Sequence, residues 1–349
     1  MARTHDLSSG IDRELERALI EPPIESSAYG ENHAFWIHDE LSGLQINGHL
    51  NTTDDLGDFS LRLGKLSVAF PDGRILQSRE AGPGTTASTP ASATMRFRCI
   101  EPFRRWNCDY AGVMQDVTIG RSYLTGAPLD PPRIPVRFSI DTQMVAPAWM
   151  QGALTPEGLG PVKAFIGGER YEQLFKHTGT LEVDGVTVAV SGFGNRTHRY
   201  GTRNLAAGPG AMRMLGHVWS AAVFPSGAAF GLQIFPTVDG GILWGEAFTV
   251  VDGALARAEI VDAPWLRHYR PNGEGFAIRL RRFDGDVVEI EGETLLSVPG
   301  MMIPAATAGE QIPIFQSAVR YRLGDETAVN MLERSLRRSS IETGVGRPL

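Results

Sequence analysis

The sequence lacks the short motifs that identify several common enzyme classes. Its 349 residues contain no GxGxxG followed by a helical segment, no Walker A pattern, no GxSxG nucleophile elbow and no HExxH. These absences argue against a dinucleotide-dependent enzyme, a P-loop nucleotide hydrolase and a serine hydrolase of the common fold. The eight histidines are scattered, with no pair at ligand spacing, so we expect neither a metal nor a cofactor.

Cysteine, positive charge and long apolar runs are also scarce. Cys99 and Cys108 are the two cysteines, and they form no CxxC unit and cannot complete a structural zinc site alone. The net charge of -7 argues against nucleic acid and membrane surfaces as partners. No apolar stretch is long enough to cross a bilayer, and the first ten residues lack the apolar core of a signal peptide. We therefore expect a cytoplasmic protein with reduced cysteines.

The sequence does contain a repeating β pattern. Asp-Gly pairs, which favour two-residue hairpin turns, occur at Asp72-Gly73, Asp184-Gly185, Asp239-Gly240, Asp252-Gly253 and Asp284-Gly285. Segments such as Met95–Ile100 and Val136–Ile140 alternate between apolar and polar residues, which places one face of each strand in a core. Repeated short strands without βαβ units indicate an all-β chain built from sandwiches or barrels.

Composition divides the chain into two β domains and two short ends. Apolar spacing over residues 11–20 predicts a short helix within an N-terminal arm, residues 1–27. Residues 141–170 are rich in glycine and proline, which predicts a connection between domains with its boundary near residue 165. The predicted β domains are residues 28–165 and 166–336, and residues 337–349 are predicted to be a frayed tail.

The segment Gly192–Arg203 concentrates polar groups between glycines. Because glycine permits sharp turns and close approach, we expect a loop that delivers these groups to a sheet edge or a barrel mouth. There His198 or Tyr200 would move a proton, and Arg196 or Arg203 would hold an anion. The alternative is a glycine-bracketed turn whose arginines are solvated or paired.

Two further segments carry candidate pocket residues. Strand alternation places Trp244, Glu246 and Phe248 on one face, where burial would raise the pKa of the glutamate and keep it protonated as a general acid. The alternative is a solvent face, with the two aromatic residues packed under a loop. His217 and Trp219 also share a strand face, which would line a barrel lumen. The alternative for His217 is a hydrogen-bonded core histidine.

These residues give the chain a resemblance to the tandem lipocalin-like proteins, a family that includes carotenoid 1,2-hydratase, the AttH-like proteins and natural-product pericyclases. Three segments carry the resemblance: Phe35-Trp36, Pro102–Trp106 followed by Tyr110–Gly112, and Gly192–Arg203. In the last segment His198, Gly201 and Arg203 match the family pattern. Thr197 stands where the family usually has Asp, and Tyr200 where it usually has Trp.

The resemblance implies two lipocalin-like antiparallel β-barrel or sandwich domains with an apolar pocket. It does not carry hydratase chemistry to this chain, because protonation of an alkene carbon requires a strong acid and the Asp is missing at position 197. We therefore expect a cofactor-independent enzyme of secondary metabolism that cyclises, isomerises or hydrates an apolar isoprenoid, steroid-like or polyketide molecule. Such an enzyme would gain most of its rate by holding one reactive conformer.

The expected site combines the candidates from both halves of the chain. Predicted catalytic residues are His198, Tyr200 and Glu246, and predicted substrate-binding residues are Arg196, Arg203, His217, Trp219, Trp244 and Phe248. The alternative function is a non-catalytic carrier of a hydrophobic ligand, since a lipocalin-like fold serves both roles. A buried titratable group in the pocket would favour the enzyme. A protein-binding surface is the remaining possibility, and no sequence feature requires it.

Overall fold

The computed structural model describes residues 6–21, 29–52, 59–118, 130–202, 213–265, 270, 272–305, 307 and 309–343. The chain divides into two compact units. The first comprises Met1–Met150 with Gly168–Thr202, and the second comprises Gln151–Gly167 with Arg203–Leu349. Both units are antiparallel β-structure, which confirms the predicted all-β fold.

The first unit contains a ten-stranded sheet. Its strands are β1 (Tyr29–Asp39), β2 (Gln45–Asn51), β3 (Arg62–Ala69), β4 (Ile75–Gly82), β5 (Met95–Glu101), β6 (Arg105–Asp116), β7 (Arg133–Met144), β8 (Trp149–Met150), β9 (Glu169–Val183) and β10 (Val186–Thr202). Their order is β10-β1-β2-β3-β4-β6-β7-β9-β8, with β5 on β6. Because β9 also pairs with β10, eight strands close a ring. The apolar core draws on strands around this ring and includes Phe35, Phe97, Trp106, Phe138 and Phe175.

The second unit is a closed eight-stranded barrel. Its strands are β11 (Gly216–Val223), β12 (Ala229–Pro236), β13 (Ile242–Val251), β14 (Ala254–Asp262), β15 (Gly275–Arg282), β16 (Val287–Pro304), β17 (Gln311–Leu323) and β18 (Glu326–Leu336). A 3-10 turn at Gly160–Val162 and the short helix α1 (Lys163–Ile166) precede the barrel in sequence. Full closure leaves no open sheet edge, which is how an eight-stranded antiparallel sheet avoids unpaired backbone groups.

All five Asp-Gly pairs join strands that are paired with each other, as predicted. At Asp184-Gly185 and at Asp252-Gly253, both residues have positive φ. That conformation is the one a type I′ turn requires, and Asp and Gly tolerate it better than most residues. Local turn chemistry therefore determines these hairpins.

The division into units differs from the predicted boundary near residue 165. β9 and β10, which follow this boundary, belong to the first unit because β9 pairs with β7 and β10 pairs with β1. Residues 151–167 belong instead to the second unit. Glycine and proline content marks where a connection lies, but it does not determine which sheet the next strand joins.

The two ends of the chain also differ in detail from expectation. We call residues 6–21 the arm. It contains a short helix, as predicted, but this helix is a single 3-10 turn, Arg13–Glu16, rather than ten residues. Beyond this turn the Ala18 N–H donates to Ala87 O instead of continuing the helix. A short isolated helix is only marginally stable, so tertiary contacts determine the backbone conformation here. The predicted frayed tail begins with helix α2 (Arg338–Thr343), and residues 344–349 lie outside the described residues. No helix among the described residues has the length and apolarity to span a membrane.

Candidate functional site

The glycine-bracketed segment predicted to be a loop is the second half of strand β10. This strand is paired on both sides, with β1 and with β9. At Gly194 a Cβ atom would lie 2.2 Å from the Trp36 carbonyl oxygen and 2.4 Å from the Phe175 ring, so the glycine here permits close packing. Because this segment is a strand and not a loop, its polar side chains alternate between the two faces of the sheet. Arg203 lies outside the described residues, and its predicted role stays a prediction.

Arg196 and His198 point to the same side of the sheet as the apolar core. Arg196 is directly opposite Phe35 on β1, and His198 is directly opposite His33. Directly opposed residues share one face of a sheet, and Phe35 belongs to the core. Both Arg196 and His198 are buried. Two of the predicted site residues are thus brought together, within the first unit.

His198 lies in a chain of hydrogen bonds between a carboxylate and a phenol. Its Nε2 is 2.8 Å from Glu31 Oε1, and its Nδ1 is 3.0 Å from the Tyr171 hydroxyl oxygen. All three side chains are buried. An imidazole that contacts a carboxylate on one nitrogen and a hydroxyl on the other has the arrangement of a general acid–base relay. We call Glu31, His198 and Tyr171 the relay.

Glu31 is the anionic end of the relay. Arg62 Nη2 donates to Glu31 Oε2 over 2.7 Å, and the Leu19 backbone N–H lies 3.1 Å from both carboxylate oxygens. Burial raises the pKa of Glu31, but the neighbouring His33 and the hydrogen bond from His198 outweigh burial and hold this pKa well below its ordinary value. Glu31 is therefore ionised at neutral pH and can orient His198 and stabilise its protonated form.

The other end of the relay reaches the arm. The Tyr171 hydroxyl donates to Glu16 Oε1 over 2.6 Å, and Arg196 Nη2 donates to the same oxygen. Burial and the adjacent Glu16 carboxylate raise the pKa of Tyr171 well above its ordinary value, so the phenol stays protonated. Arg196 Nη2 also donates to Gln173 Oε1 over 2.9 Å. The relay thus ends at a buried ion pair formed by Glu16 and Arg196.

Glu31, His33 and His198 also have the composition of a metal site. Each offers one ligand atom, and these atoms all lie within 4.8 Å of one another. Two features oppose a cation here. The His33 and His198 rings are stacked, with centroids 3.9 Å apart and planes inclined by 21°, so their in-plane lone pairs run nearly parallel rather than converging. The Arg62 guanidinium also pairs with Glu31. The donor types suit a metal, but their orientation does not.

Tyr200, the third candidate on β10, lies near the relay without joining it. Its hydroxyl donates to Glu169, and its ring centroid is 5.4 Å from that of His198. Burial and the Glu169 carboxylate raise the pKa of Tyr200. Tyr200 packs beside Phe103 and Tyr171 in a small apolar cluster. A catalytic role for Tyr200 stays a prediction.

Glu246, the predicted general acid, lies in the second unit and binds backbone. Its carboxylate accepts hydrogen bonds from the Gly152 and Leu154 N–H groups, each over 2.8 Å. Trp244 Nε1 donates to Gly158 O over 2.8 Å. Residues 152–158 therefore cover this part of β13, which matches the alternative in which the aromatic residues pack under a loop. The face is buried, however, rather than exposed to solvent.

His217 and its neighbours also belong to the second unit. His217 Nδ1 lies 2.6 Å from Ser335 Oγ, and its Nε2 lies 2.9 Å from Glu333 Oε1. This is the hydrogen-bonded core histidine that the sequence left as the alternative. Trp219 is buried opposite Glu333, and Phe248 packs on Gly231. Substrate binding by these second-unit residues stays a prediction.

Sequence reasoning missed most of the relay and its partners. The residues that it did not single out are Glu16, Glu31, His33, Arg62 and Tyr171. One local signal was present, since Glu31 and His33 are two apart and share one face of a strand. The other residues are more than 25 positions from His198, and only strand pairing and the path of the arm bring them together.

Comparison with known proteins places the chain in a family. The model of a domain of unknown function, DUF7064, matches residues 23–337. The chain belongs to this family. A search of the curated proteins found no match.

Three solved structures are similar to this chain. An AttH-like protein from Nitrosomonas europaea is 13% identical, with a TM-score of 0.50 and coverage of 88% of this chain and 92% of that one. Kievitone hydratase from Nectria haematococca is 11% identical, with a TM-score of 0.49 and coverage of 91% and 94%. CghA with Sch210972 is 9% identical, with a TM-score of 0.48 and coverage of 92% and 94%. The AttH-like match confirms the predicted resemblance at the level of the fold.

Proposed function

We propose that this member of the DUF7064 family is an enzyme that transfers protons on a small, mainly apolar molecule, with His198 as the central acid–base group. The observation that carries the proposal is the position of His198 between the Glu31 carboxylate and the Tyr171 phenol. The relay borders the apolar core, since the His33 ring stacked on His198 has its centroid 5.9 Å from that of Trp106. A titratable relay beside an apolar core favours an enzyme over a carrier.

The geometry assigns a role to each member of the relay. Because the Tyr171 hydroxyl donates its single proton to Glu16, His198 donates from both ring nitrogens, with Nε2–H to ionised Glu31 and Nδ1–H to the Tyr171 oxygen. In catalysis the Tyr171 hydroxyl gives its proton to the substrate and is reprotonated by His198 Nδ1–H, and the imidazole then takes the proton that the substrate loses back through the same phenol. Glu31 orients the imidazole and stabilises it when it is charged. Proton transfer of this kind serves isomerisation, cyclisation and hydration alike, and the relay residues carry it out in this proposal without a cofactor.

The proposal is tested by finding the ligand and then measuring its conversion. Native mass spectrometry of the full chain purified from its own host would reveal a retained metabolite, and incubation with fresh protein would show whether it is converted. We expect His198→Asn to lower kcat/KM by about 100-fold or more, the range for loss of a general acid–base. His177→Asn is the matched control, because His177 is also a buried histidine of the first unit and lies outside the relay.

Two results would count against the proposal. Wild-type turnover by His198→Asn, with its fold verified by circular dichroism, would remove the relay from the mechanism. Release of the bound metabolite unchanged by wild-type protein, under conditions in which it exchanges freely, would establish the carrier function instead.

A further inference from the structure

The carboxylate of Glu16 is bound by donors that all come from outside the arm. Tyr171 and Arg196 donate to Oε1. The Phe103 backbone N–H and Trp106 Nε1 donate to Oε2 over 3.0 and 3.1 Å. Four donors from four places in the first unit thus converge on two oxygen atoms, and we call them the carboxylate cradle. Several hydrogen-bond donors that converge on the two oxygens of a planar anion are typical of a carboxylate-binding site.

Arg196 makes an anion necessary at this position. Its side chain is buried, and its guanidinium lies over the Trp106 and Tyr171 rings, 5.1 and 5.4 Å from their centroids. Burial lowers the pKa of Arg196, but the Glu16 carboxylate outweighs burial and raises it above its ordinary value. A buried guanidinium without a partner is strongly unfavourable. Any group that replaces Glu16 must therefore bring a negative charge.

The glutamate that fills the cradle belongs to the arm, which is attached to the first unit by hydrogen bonds and packing and not by strand pairing. The arm contributes no strand to the sheet, and Glu16 ends its single 3-10 turn. The arm is attached by individual contacts, such as the Ala148 N–H to Leu7 O and the Ala18 N–H to Ala87 O. A cavity of about 150 Å³ is lined by residues of the arm and by residues between β5 and β6, namely Asp6, Leu7, Ser8, Arg13, Pro102, Phe103 and Arg104. Space therefore exists beside a residue of the cradle.

We infer that the cradle is a binding site for the acidic group of a small-molecule ligand, and that Glu16 of the arm occupies it in the resting protein. The ligand class is an apolar molecule bearing a carboxylate. When its carboxylate replaces that of Glu16, the Tyr171 hydroxyl faces the ligand instead of the arm, and the ligand meets the relay. The inference rests on the proposed function for conversion of the ligand, but binding to the cradle does not require conversion.

Exposing the cradle in the full chain tests the inference. We expect Glu16→Ala to bind phenylacetate at least tenfold more tightly than the wild type in isothermal titration calorimetry. The uncharged control, 2-phenylethanol, has the same ring and nearly the same size, and it should bind at least tenfold more weakly than phenylacetate. Adding Arg196→Met to Glu16→Ala should abolish the preference for the acid. Equal affinity for the acid and the alcohol would overturn the inference.

A second variant keeps the test valid if Glu16→Ala does not fold. Glu16→Gln retains the shape of the side chain but leaves Arg196 without its counter-charge, so it too should bind phenylacetate more tightly than the wild type. In wild-type protein, saturating phenylacetate should speed hydrogen exchange of the Ala18 and Leu19 amides, which are hydrogen-bonded in the resting arm. Unchanged hydrogen exchange would show that phenylacetate does not displace Glu16 from the cradle, and it would overturn the inference that Glu16 is a displaceable occupant.

The binding measurements separate this inference from the proposed function. Phenylacetate is a binding probe, so its affinity does not depend on catalysis by His198. Normal turnover by His198→Asn together with phenylacetate binding by Glu16→Ala would refute the relay and support the cradle. Loss of turnover in His198→Asn without any preference for the acid in Glu16→Ala would support the relay and refute the cradle.

Discussion

Arg196 and Glu16 form a buried ion pair across 180 positions of sequence, and this pair joins the arm to the wall of the first unit. Arg196 lies in the middle of β10, a strand paired on both sides, whereas Glu16 ends a single 3-10 turn. The strand is held by two neighbours and the turn by scattered contacts. The pair therefore couples a rigid element to one that is attached less extensively.

Arg196→Met should destabilise the protein by about 3–5 kcal/mol, because it leaves the Glu16 carboxylate buried without its counter-charge. Combining it with Glu16→Gln should recover part of that loss, since no unpaired charge then remains. Urea unfolding of the wild type, both single variants and the double variant forms the thermodynamic cycle that measures this coupling. Additive losses in the cycle would contradict the ion pair as described.

Glu246→Gln should lower the free energy of unfolding by about 1–3 kcal/mol, because the Gly152 and Leu154 N–H groups lose a charged acceptor. The measurement is denaturant unfolding followed by a probe in the second unit, such as Trp219 or Trp244 fluorescence. Glu259→Gln is the matched control on the same barrel, because Glu259 pairs with Arg281 at the exposed surface and such pairs contribute little. Equal losses in the two variants would show that Glu246 does not anchor residues 152–154.

Stability should fall as pH decreases from about 6.5 toward 4. Burial lowers the pKa of His33 to about 4 and that of His38 to about 3, from the ordinary histidine value of 6.5. Between these values the unfolded chain binds protons that the folded chain does not, so each histidine removes up to roughly 1.4 kcal/mol per pH unit. Glu16 and Glu31, whose pKa values are lowered, act in the same direction only below about their ordinary value of 4.5.

Replacement of one of these histidines gives the check on that pH dependence. His38→Leu removes one titrating group, so the decrease in unfolding free energy between pH 6.5 and 5 should be smaller in this variant than in the wild type. Unfolding in urea at several pH values measures both slopes. An unchanged slope would show that His38 does not titrate differently in the folded and unfolded states.

Much of the architecture could be predicted because its determinants are local. Asp184-Gly185 and Asp252-Gly253 favour positive φ whatever surrounds them, and each forms the hairpin expected of it. Alternation in segments such as Met95–Ile100 reflects the two faces of a strand, and this segment lies in β5. The glycines of residues 192–203 were misleading because a glycine that relieves crowding in a strand looks, in sequence, like one that makes a turn. Gly194 is of the first kind, since Phe175 and Trp36 occupy the space a side chain would need.

The sequence by itself determined that this chain is all-β, where its tight hairpins lie and that His198 and Arg196 are candidate site residues. Only the tertiary structure decided that β9 and β10 belong to the first unit, that Glu31 and Tyr171 contact His198, and that Glu16 reaches Arg196. The physical reason is distance along the chain. A turn or a strand depends on neighbouring residues, whereas the relay and the cradle depend on which strands pair and on where the arm packs.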